Sequence, residues 1–302
     1  MNGDLPAAFR IHLAVDGSEH SLAATQLVRD LPLPANSKVT ILGVLTPGRP
    51  PDESGLQAAI AQAETILEGS PVETSSRILQ GNAAQKLIEY GTEHRPDLML
   101  IGAKGLYSIL NILLGGVAHQ VVENARWPVL VMRTPYRGLQ RVLFTTDGSP
   151  NSREAARYLA GFPLPEQTEL QVLHVQPLYP SIQDPMSRTQ PLTPSVPFML
   201  SMMPSPTELK YVSRHADLAE QKGRTLLAET KKILQGAGLK VTTFLSKGDP
   251  ASEIIKHSQA QDIDLIVAGT RGLKGLEAWG WDSVSRKLVH YASSSVVFVR
   301  SD

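Results

Sequence analysis

The feature that most constrains the fold of this 302-residue chain is an internal duplication. Arg10–Ser18 is a largely apolar run that ends in Asp-Gly-Ser, and Arg141–Ser149 repeats this pattern at an offset of 131 residues. Farther along, Leu98–Gly105 is repeated at Leu265–Gly272, now at an offset of 167 residues. Self-similarity on this scale is typical of tandem copies of one structural unit. We therefore expect two related domains rather than one large one.

The two domains, expected at residues 1–138 and 139–302, differ by an insertion. The change of offset requires 36 extra residues in the second copy. Residues 177–207 contain eight prolines, which disfavour both helix and central strand. We expect an irregular loop there, either a surface insertion without regular structure or a flap over a neighbouring site. A long amphipathic helix is predicted to follow it, over about Thr207–Gln235.

Strands and helices are predicted to alternate in each half. Apolar runs without polar alternation, such as Leu98–Ile101, are typical of parallel strands covered on both faces. In the first half the predicted strands are Arg10–Val15, Lys38–Leu45, Val72–Leu79, Asp97–Gly102 and Pro128–Met132, and the predicted helices are Ser18–Asp30, Asp52–Glu68, Asn82–His94 and Val117–Ala125. This order predicts an α/β fold of two doubly wound, five-stranded parallel sheets, Rossmann-like and related by duplication. Ligands of such sheets bind beyond the carboxyl ends of the strands.

The composition excludes several classes of function. The chain has no cysteine, which excludes disulfides, thiolate metal sites and thiol nucleophiles. Its 29 basic and 29 acidic residues leave no net charge, so no global field would hold nucleic acid or an anionic membrane. Its eight histidines have no metal-ligand spacing, and no apolar stretch is long enough to span a membrane. Because the first ten residues lack a signal-peptide pattern, we expect a cytoplasmic protein with no nucleic-acid or membrane partner.

The predicted fourth strand of each half leads into a glycine-rich loop. In the first half Gly102–Gly105 has the pattern G-x-x-G and is followed, after nine residues, by Gly115–Gly116 at the start of a predicted helix. In the second half Gly269–Gly272 is followed, after nine residues, by Asp282–Ser283. Glycine lets main-chain N–H groups approach a phosphate, and a helix N-terminus supplies free donors and a favourable dipole. We expect the N–H groups of both parts of the motif to converge on a polyanion.

This motif, together with an Asp at the end of the first strand of each half, resembles the universal stress protein family, and the resemblance covers nearly the whole chain. It implies the fold of the adenine nucleotide α-hydrolase-like superfamily, pairing through the last strand of each unit and, in some members, ATP binding. It also implies a set of nucleotide-binding residues in each half. They are Ala14, Val15, Asp16 and Val44 at the adenosine end and Gly102, Lys104, Gly105, Gly115, Gly116 and Val117 at the phosphates, with Asp147, Val175, Gly269, Arg271, Gly272, Ser283 and Val284 in the second half.

Each half departs from the family pattern at a different residue. The first half has Gly116 where the family has Ser or Thr, which removes a hydroxyl donor worth about 0.5–1.5 kcal/mol. The second half keeps Ser283 but has Asp282 where glycine is expected. A carboxylate about 4 Å from a phosphate costs ~4 kcal/mol at an effective dielectric of about 20. We therefore expect the first half to be the better nucleotide site.

The favoured function is a stress-response sensor or regulator that binds ATP, with or without Mg²⁺, and has no catalytic or metal-ligating residues of its own. The sequence positions no attacking water, so at most a slow ATPase is expected. The alternative is a scaffold for protein partners whose two nucleotide sites are relics, and an enzyme acting at an adenylyl phosphate is favoured least. If Val129–Arg133 pairs with Val296–Arg300, one chain forms a pseudo-dimer, and whether two chains form a homodimer stays open.

Overall fold

The computed structural model describes residues 8–48, 51–105, 114–177, 206–270 and 283–300. Strands and helices alternate through both halves of this part of the chain. In the first half they are β1 Arg10–Val15, α1 Glu19–Asp30, β2 Lys38–Leu45, α2 Glu53–Leu67, β3 Glu73–Gln80, α3 Ala83–His94, β4 Leu98–Gly102, α4 Gly116–Asn124 and β5 Val129–Met132. In the second half they are β6 Arg141–Thr145, α5 Pro150–Ala160, β7 Glu169–Gln176, α6 Pro206–Gly236, β8 Val241–Lys247, α7 Pro250–Ala260, β9 Leu265–Thr270, α8 Ser283–Tyr291 and β10 Ser295–Arg300.

The bounds predicted from the sequence agree closely with these elements. β1 and β2 have the predicted ends, and α6 extends one residue beyond the prediction at each end. Most of the proline-rich loop expected before α6, residues 178–205, lies outside the described residues. Although α6 is long, neither it nor any other helix in the described ranges is apolar enough over a sufficient length to cross a membrane.

The ten strands of the described ranges form one sheet in the order β3-β2-β1-β4-β5-β10-β9-β6-β7-β8. Neighbouring strands within each half are parallel, as the uninterrupted apolar runs predicted. The two halves join where β5 and β10 run antiparallel, with Leu130 opposite Val297. This is the pairing of last strands that the sequence led us to expect, and it leaves neither of these strands with an open edge.

Helices cover both faces of the sheet. Helices α1, α2, α5 and α6 contribute to the buried cluster on one face, and α3, α4, α7 and α8 to the cluster on the other. Leu13, Leu100 and Phe144 in the strands are fully buried, and burial of such a side chain contributes about 1.5–3 kcal/mol. Phe9 of the first half meets Phe162 of the second edge to face, with ring centroids 6.2 Å apart. The two halves therefore share a continuous core on this face.

Candidate functional site

The Asp turn and the glycine loop of the first half meet at the carboxyl ends of β1 and β4. Asp16 follows β1, and its Oδ1 accepts a 3.0 Å hydrogen bond from the Ser18 N–H. Ser18 caps α1 by accepting a hydrogen bond from the Ser21 N–H. The Ser18 hydroxyl also donates to the carbonyl oxygen of Lys104 at 3.2 Å, across a sequence separation of 86 residues. The turn and the loop are thereby held together by a direct hydrogen bond.

Two glycines of the loop have different structural roles. A Cβ atom on Gly102 would lie 2.8 Å from His20 Cβ and 3.2 Å from the Ser21 nitrogen, so this glycine lets β4 approach the start of α1. A Cβ atom on Gly105 would lie 2.7 Å from Asp16 Oδ2. Gly102 is therefore explained by packing, whereas Gly105 brings the loop backbone beside a carboxylate at the edge of the candidate site.

Some main-chain N–H groups of the motif donate hydrogen bonds within the folded chain and are therefore not available to a ligand. The Ala103 N–H donates to the Met132 carbonyl in β5 at 2.8 Å, and the Gly115 N–H donates to the Ala103 carbonyl at 2.7 Å. The expectation that the N–H groups of both segments converge on a ligand is therefore wrong for these two groups. They hold the motif together because a buried N–H group needs a partner in the folded chain.

The N-terminus of α4 is the part of the motif that stays available to an anion. It begins at Gly115, which makes no side-chain cap bond. Among the described residues, the N–H groups of Gly116 and Val117 have no hydrogen-bond partner. Uncapped N–H groups at a helix N-terminus favour an anion. Five other helices of the described ranges begin with a side-chain cap, from Ser18, Asp52, Asn82, Ser149 and Asp249.

The remaining predicted residues of the first half offer less to a ligand. Ala14 and Val15 are buried in the core, with 9% and 5% of their surface exposed, and Val44 is half-buried against it. Their side chains are used in packing, so they would present main-chain atoms to a ligand. Val117 is exposed at the start of α4.

A cavity of about 990 Å³ opens at the carboxyl ends of β1, β2 and β3. Of the predicted site residues in the described ranges, Asp16 alone lines it. Its walls also include Thr46, Gln62 and Gln80, which the sequence reasoning did not name. Thr46 and Gln80 could have been found, because they stand at the carboxyl ends of two predicted strands, where ligands of such sheets bind.

Charge is distributed unevenly around this end of the sheet. The described lining of the cavity contains the carboxylates of Asp16, Asp52 and Glu53 and no Lys or Arg. Beside the glycine loop the charge is positive: burial and the nearby Lys104 ammonium lower the pKa of the His20 imidazole. Within the described residues, no group of three or more His, Asp or Glu side chains could hold a metal ion. An uncharged group therefore suits the cavity, and an anion suits the Lys104 side.

The second half repeats the Asp turn and the packing glycine. The Ser149 N–H donates to Asp147 Oδ1 at 2.9 Å. Burial raises the pKa of the Asp147 carboxyl, but hydrogen bonds from Ser149 and Ser152 outweigh burial and hold that pKa below its ordinary value. A Cβ atom on Gly269 would lie 2.5 Å from the Asn151 carbonyl oxygen. The first glycine of the loop therefore has the same packing role in both halves.

At the equivalent position of the second half, a larger side chain stands in place of one that lines the cavity. Gly17 and Ala59 line the cavity of the first half. The residues at these positions in the second half are Gly148 and Leu226, and a Cβ atom on Gly148 would lie 3.2 Å from both methyl carbons of Leu226. The larger side chain of Leu226 occupies space that Ala59 leaves open.

The other predicted residues of the second half are only partly within the described ranges. Val175 is buried, Val284 packs against the core, and Ser283 is the first residue of α8. Arg271, Gly272 and Asp282 lie outside the described residues.

Comparison with known proteins gives one consistent family. Universal stress protein YxiE of Bacillus subtilis is 28% identical over 165 residues, which cover 53% of this chain and 98% of that protein. The crystal structure of a universal stress protein from Archaeoglobus fulgidus is 16% identical and covers 97% of this chain and 96% of that chain, with a TM-score of 0.60. A universal stress protein solved in complex with cAMP is 27% identical and covers 42% of this chain and 98% of its own, with a TM-score of 0.33. The sequence model of the universal stress protein family matches residues 8–133 and again 138–300, so the chain belongs to this family and contains two copies of its fold.

Proposed function

We propose that the first half binds ATP and that the protein acts through this binding as a cytoplasmic stress sensor or regulator. The observation that carries the proposal is the uncapped N-terminus of α4. It lies beside Lys104 of the glycine loop. A Cβ atom on Gly115 would be 3.7 Å from Lys104 Cα and 3.8 Å from the Gly105 nitrogen. Free N–H donors, the helix dipole and a nearby ammonium all favour a phosphate. A hydrogen bond to a charged group contributes about 1.5–3 kcal/mol.

The charge distribution favours one orientation of the nucleotide. A phosphate placed among the carboxylates of Asp16, Asp52 and Glu53 in the cavity would be repelled by ~4 kcal/mol for each pair of charges about 4 Å apart. A purine carries no charge, and ribose hydroxyls can donate to a carboxylate. We therefore assign the base and the sugar to the cavity and the phosphates to the space beside Lys104 and α4.

Mg²⁺ is compatible with this arrangement through one residue. This ion is commonly held by one or two carboxylates together with substrate phosphates and water. Asp16 Oδ2 faces Gly105, while its Oδ1 accepts from Ser18, so Asp16 would hold the ion, which would neutralise phosphate charge. Asp16→Asn keeps an acceptor for Ser18 and removes the charge. We expect it to weaken binding of Mg²⁺·ATP more than binding of ATP in EDTA, and equal weakening would exclude Asp16 as a ligand of the ion.

The second half is proposed as the weaker site for two reasons. Asp282 would repel a phosphate, and Leu226 fills space against Gly148 that stays open in the first half. Packing against Asn151 explains Gly269, as packing explains Gly102 in the first half, so this glycine does not by itself indicate a ligand. Asp282 and Leu226 favour the alternative function for the second half, a surface that contacts protein partners and has lost its nucleotide.

Calorimetric titration with ATP tests the assignment to the first half. Lys104→Ala should weaken binding about tenfold, which corresponds to about 1.4 kcal/mol, because it removes the cation beside α4. Arg271→Ala in the second half should change the affinity less than about twofold. Lys38→Ala is the matched control, since Lys38 pairs with Glu73 at the amino ends of β2 and β3, on the opposite edge of the sheet.

Two outcomes would contradict the proposal in different ways. Loss of binding in Arg271→Ala alone would reverse the ranking of the two halves. A wild-type protein that releases no nucleotide on denaturation, as measured by mass spectrometry of a fresh preparation, and gives no heat with ATP would exclude the nucleotide function. That second result would favour the scaffold.

A further inference from the structure

An arginine of the second half holds the helix that faces the proposed phosphate site of the first. Arg300, the last residue of β10, donates from Nη2 to the carbonyl oxygens of Val122 and Glu123, the latter at 2.8 Å. Both carbonyls belong to the last turn of α4. The final carbonyl groups of a helix have no partner within the helix. Arg300 therefore supplies a partner that α4 cannot supply itself.

Arg133 makes the matching contact in the opposite direction. It follows β5, is 8% exposed, and donates from Nη2 to the Val289 carbonyl oxygen of α8 at 2.6 Å. Val289 stands at the position in α8 that Val122 occupies in α4. The rings of His119 in α4 and His290 in α8 have centroids 5.6 Å apart, so the two helices lie next to each other across the boundary. The two contacts are reciprocal.

The physical chemistry of these contacts makes them stiff. A cation at a helix C-terminus is favoured by the helix dipole, and a guanidinium can donate to two carbonyls from one fixed plane. Arg133 is buried and Arg300 is half-buried, so removing either cation from its acceptors is costly wherever water does not replace them. Burial lowers the pKa of both arginines, and arginine stays charged in proteins. The last turn of α4 is therefore tied to β10, and that of α8 to the end of β5.

We propose that Arg300 is a positioning residue for the first-half site, acting through α4, and that Arg133 has the same role for α8. The proposal rests on the proposed function, because the N-terminus of α4 is where the phosphates are expected to bind. With nine residues, α4 is about 13 Å long, short enough for a displacement of one end to move the other. Each half thereby controls the orientation of the helix that faces the ligand in the other half.

A ligand-free test is hydrogen–deuterium exchange of the full chain in the wild type, Arg300→Ala and Arg133→Ala. Arg300→Ala should accelerate exchange at least about tenfold in residues 119–124 of α4 and leave α8 within about twofold, and Arg133→Ala should do the reverse. General destabilisation would accelerate exchange in both helices in either variant. The crossed pattern therefore separates control of one helix from general destabilisation of the protein. Arg300→Lys keeps the charge without the planar fork and should give an intermediate rate, even if Arg300→Ala does not fold.

Titration with ATP then tests the effect on the site. Arg300→Ala should weaken binding about tenfold and Arg300→Lys about threefold, whereas Lys38→Ala, the control at the opposite edge of the sheet, should change the affinity less than about twofold. Equal affinities in all variants would overturn the positioning role.

The exchange data separate failure of this inference from failure of the proposed function. Acceleration of the same helices in both alanine variants, or of neither helix, would overturn the inference whatever the nucleotide does. A wild-type protein that binds no ATP would exclude the proposed function. In that case a crossed exchange pattern would still support control of each helix by the opposite half, and an uncrossed pattern would overturn it.

Discussion

The two halves form the same contact between sheet and helix with the sizes of the two partners exchanged. In the first half Gly43 of β2 faces α2, and a Cβ atom there would lie 2.9 Å from Leu56 Cδ1. The equivalent residues of the second half are His174 in β7 and Gly223 in α6. A Cβ atom on Gly223 would lie 3.0 Å from His174 Cδ2. The first half therefore pairs a small strand residue with a large helix residue, and the second half pairs a large strand residue with a small helix residue.

A duplicated backbone can therefore carry different side chains at the carboxyl edge of each half of the sheet. The total volume of the facing pair is what close packing constrains, so the individual side chains are free to change. His174 Nδ1 lies 2.8 Å from the Thr146 carbonyl oxygen, where the first half has glycine. Helix α6 has 31 residues against 15 in α2. Ala59 lines the cavity of the first half, whereas the larger Leu226 stands at its position in the second half and packs against Gly148.

The largest effect is expected from giving the first half the side chain that narrows the second. Ala59 lines the cavity, and Ala59→Leu copies Leu226. It should weaken ATP binding about a hundredfold, or by about 2.7 kcal/mol, because the side chain fills the space assigned to the base. Calorimetry measures the affinity, and urea unfolding checks that the variant is folded. Unchanged affinity would place the base elsewhere, and Ala61→Leu, on the same helix but outside the cavity lining, is the control.

A pH-dependent difference between the halves comes from His12, which stands in β1 where the second half has Leu143 in β6. Burial, together with the charges of His94 and Arg10, lowers the pKa of His12 from 6.5 to about 4. The unfolded chain therefore takes up this proton first, and the associated stability, complete above pH 6.5, is lost as the pH falls from 6.5 to 4. The pKa difference corresponds to about 3 kcal/mol, which solvent screening reduces to about 2.

His12→Leu tests this difference by copying the residue of the second half. Between pH 7 and pH 4 the wild type should lose about 2 kcal/mol more free energy of unfolding than the variant, measured by urea denaturation at both values. Carboxylate protonation is common to the two proteins and cancels in this comparison. If both proteins lose the same free energy, His12 does not titrate as we expect.

The exchanged pair itself can be tested by a double-mutant cycle. Gly223→Leu should destabilise the protein by about 2 kcal/mol, because the new side chain collides with His174. Adding His174→Gly recreates the arrangement of Gly43 and Leu56 and should recover part of this loss. We expect a coupling energy of about 1.5 kcal/mol from urea unfolding of the four proteins. Additive effects would show that the two positions do not constrain each other.

The smallest effect is expected from restoring the family hydroxyl in the first half. A Cβ atom on Gly116 would meet no described atom within 4 Å, so Gly116→Ser fits without displacement. The new hydroxyl should strengthen ATP binding about threefold, or by about 0.6 kcal/mol. Gly116→Ala is the control, since it changes the helix propensity without adding a donor. Equal gains in both variants would assign the effect to α4 rather than to a contact with phosphate.

Most of the fold could be predicted from the sequence because it depends on local patterns. Apolar runs such as Leu98–Ile101 predicted parallel strands buried on both faces, and β4 is such a strand between β1 and β5. The resemblance to the family implied pairing through the last strand of each unit, and β5 and β10 form that pair. The bounds of α6 followed from its amphipathic pattern after the last prolines of the insertion.

The candidate site could be predicted only in outline. Gly102 and Gly105 are equivalent letters in the motif, yet one packs against α1 and the other lies beside Asp16. Gly115 belongs to the same motif, but its N–H group is used by the Ala103 carbonyl. Thr46 lines the cavity, although the sequence analysis did not predict it as a site residue. These assignments depend on contacts made between separate elements, which no local pattern reveals.

By itself, the sequence determined that the chain has two copies of one unit, how strands and helices alternate in each, and where the glycine loops fall. Those properties depend on periodicity and turn residues acting over a few neighbours. Only the tertiary structure decided that the N-terminus of α4 stays uncapped, that Leu226 narrows the second half, and that Arg300 reaches across to α4. Each of these depends on distances between residues far apart in the chain, which the packing of whole helices and the antiparallel register of β5 and β10 determine.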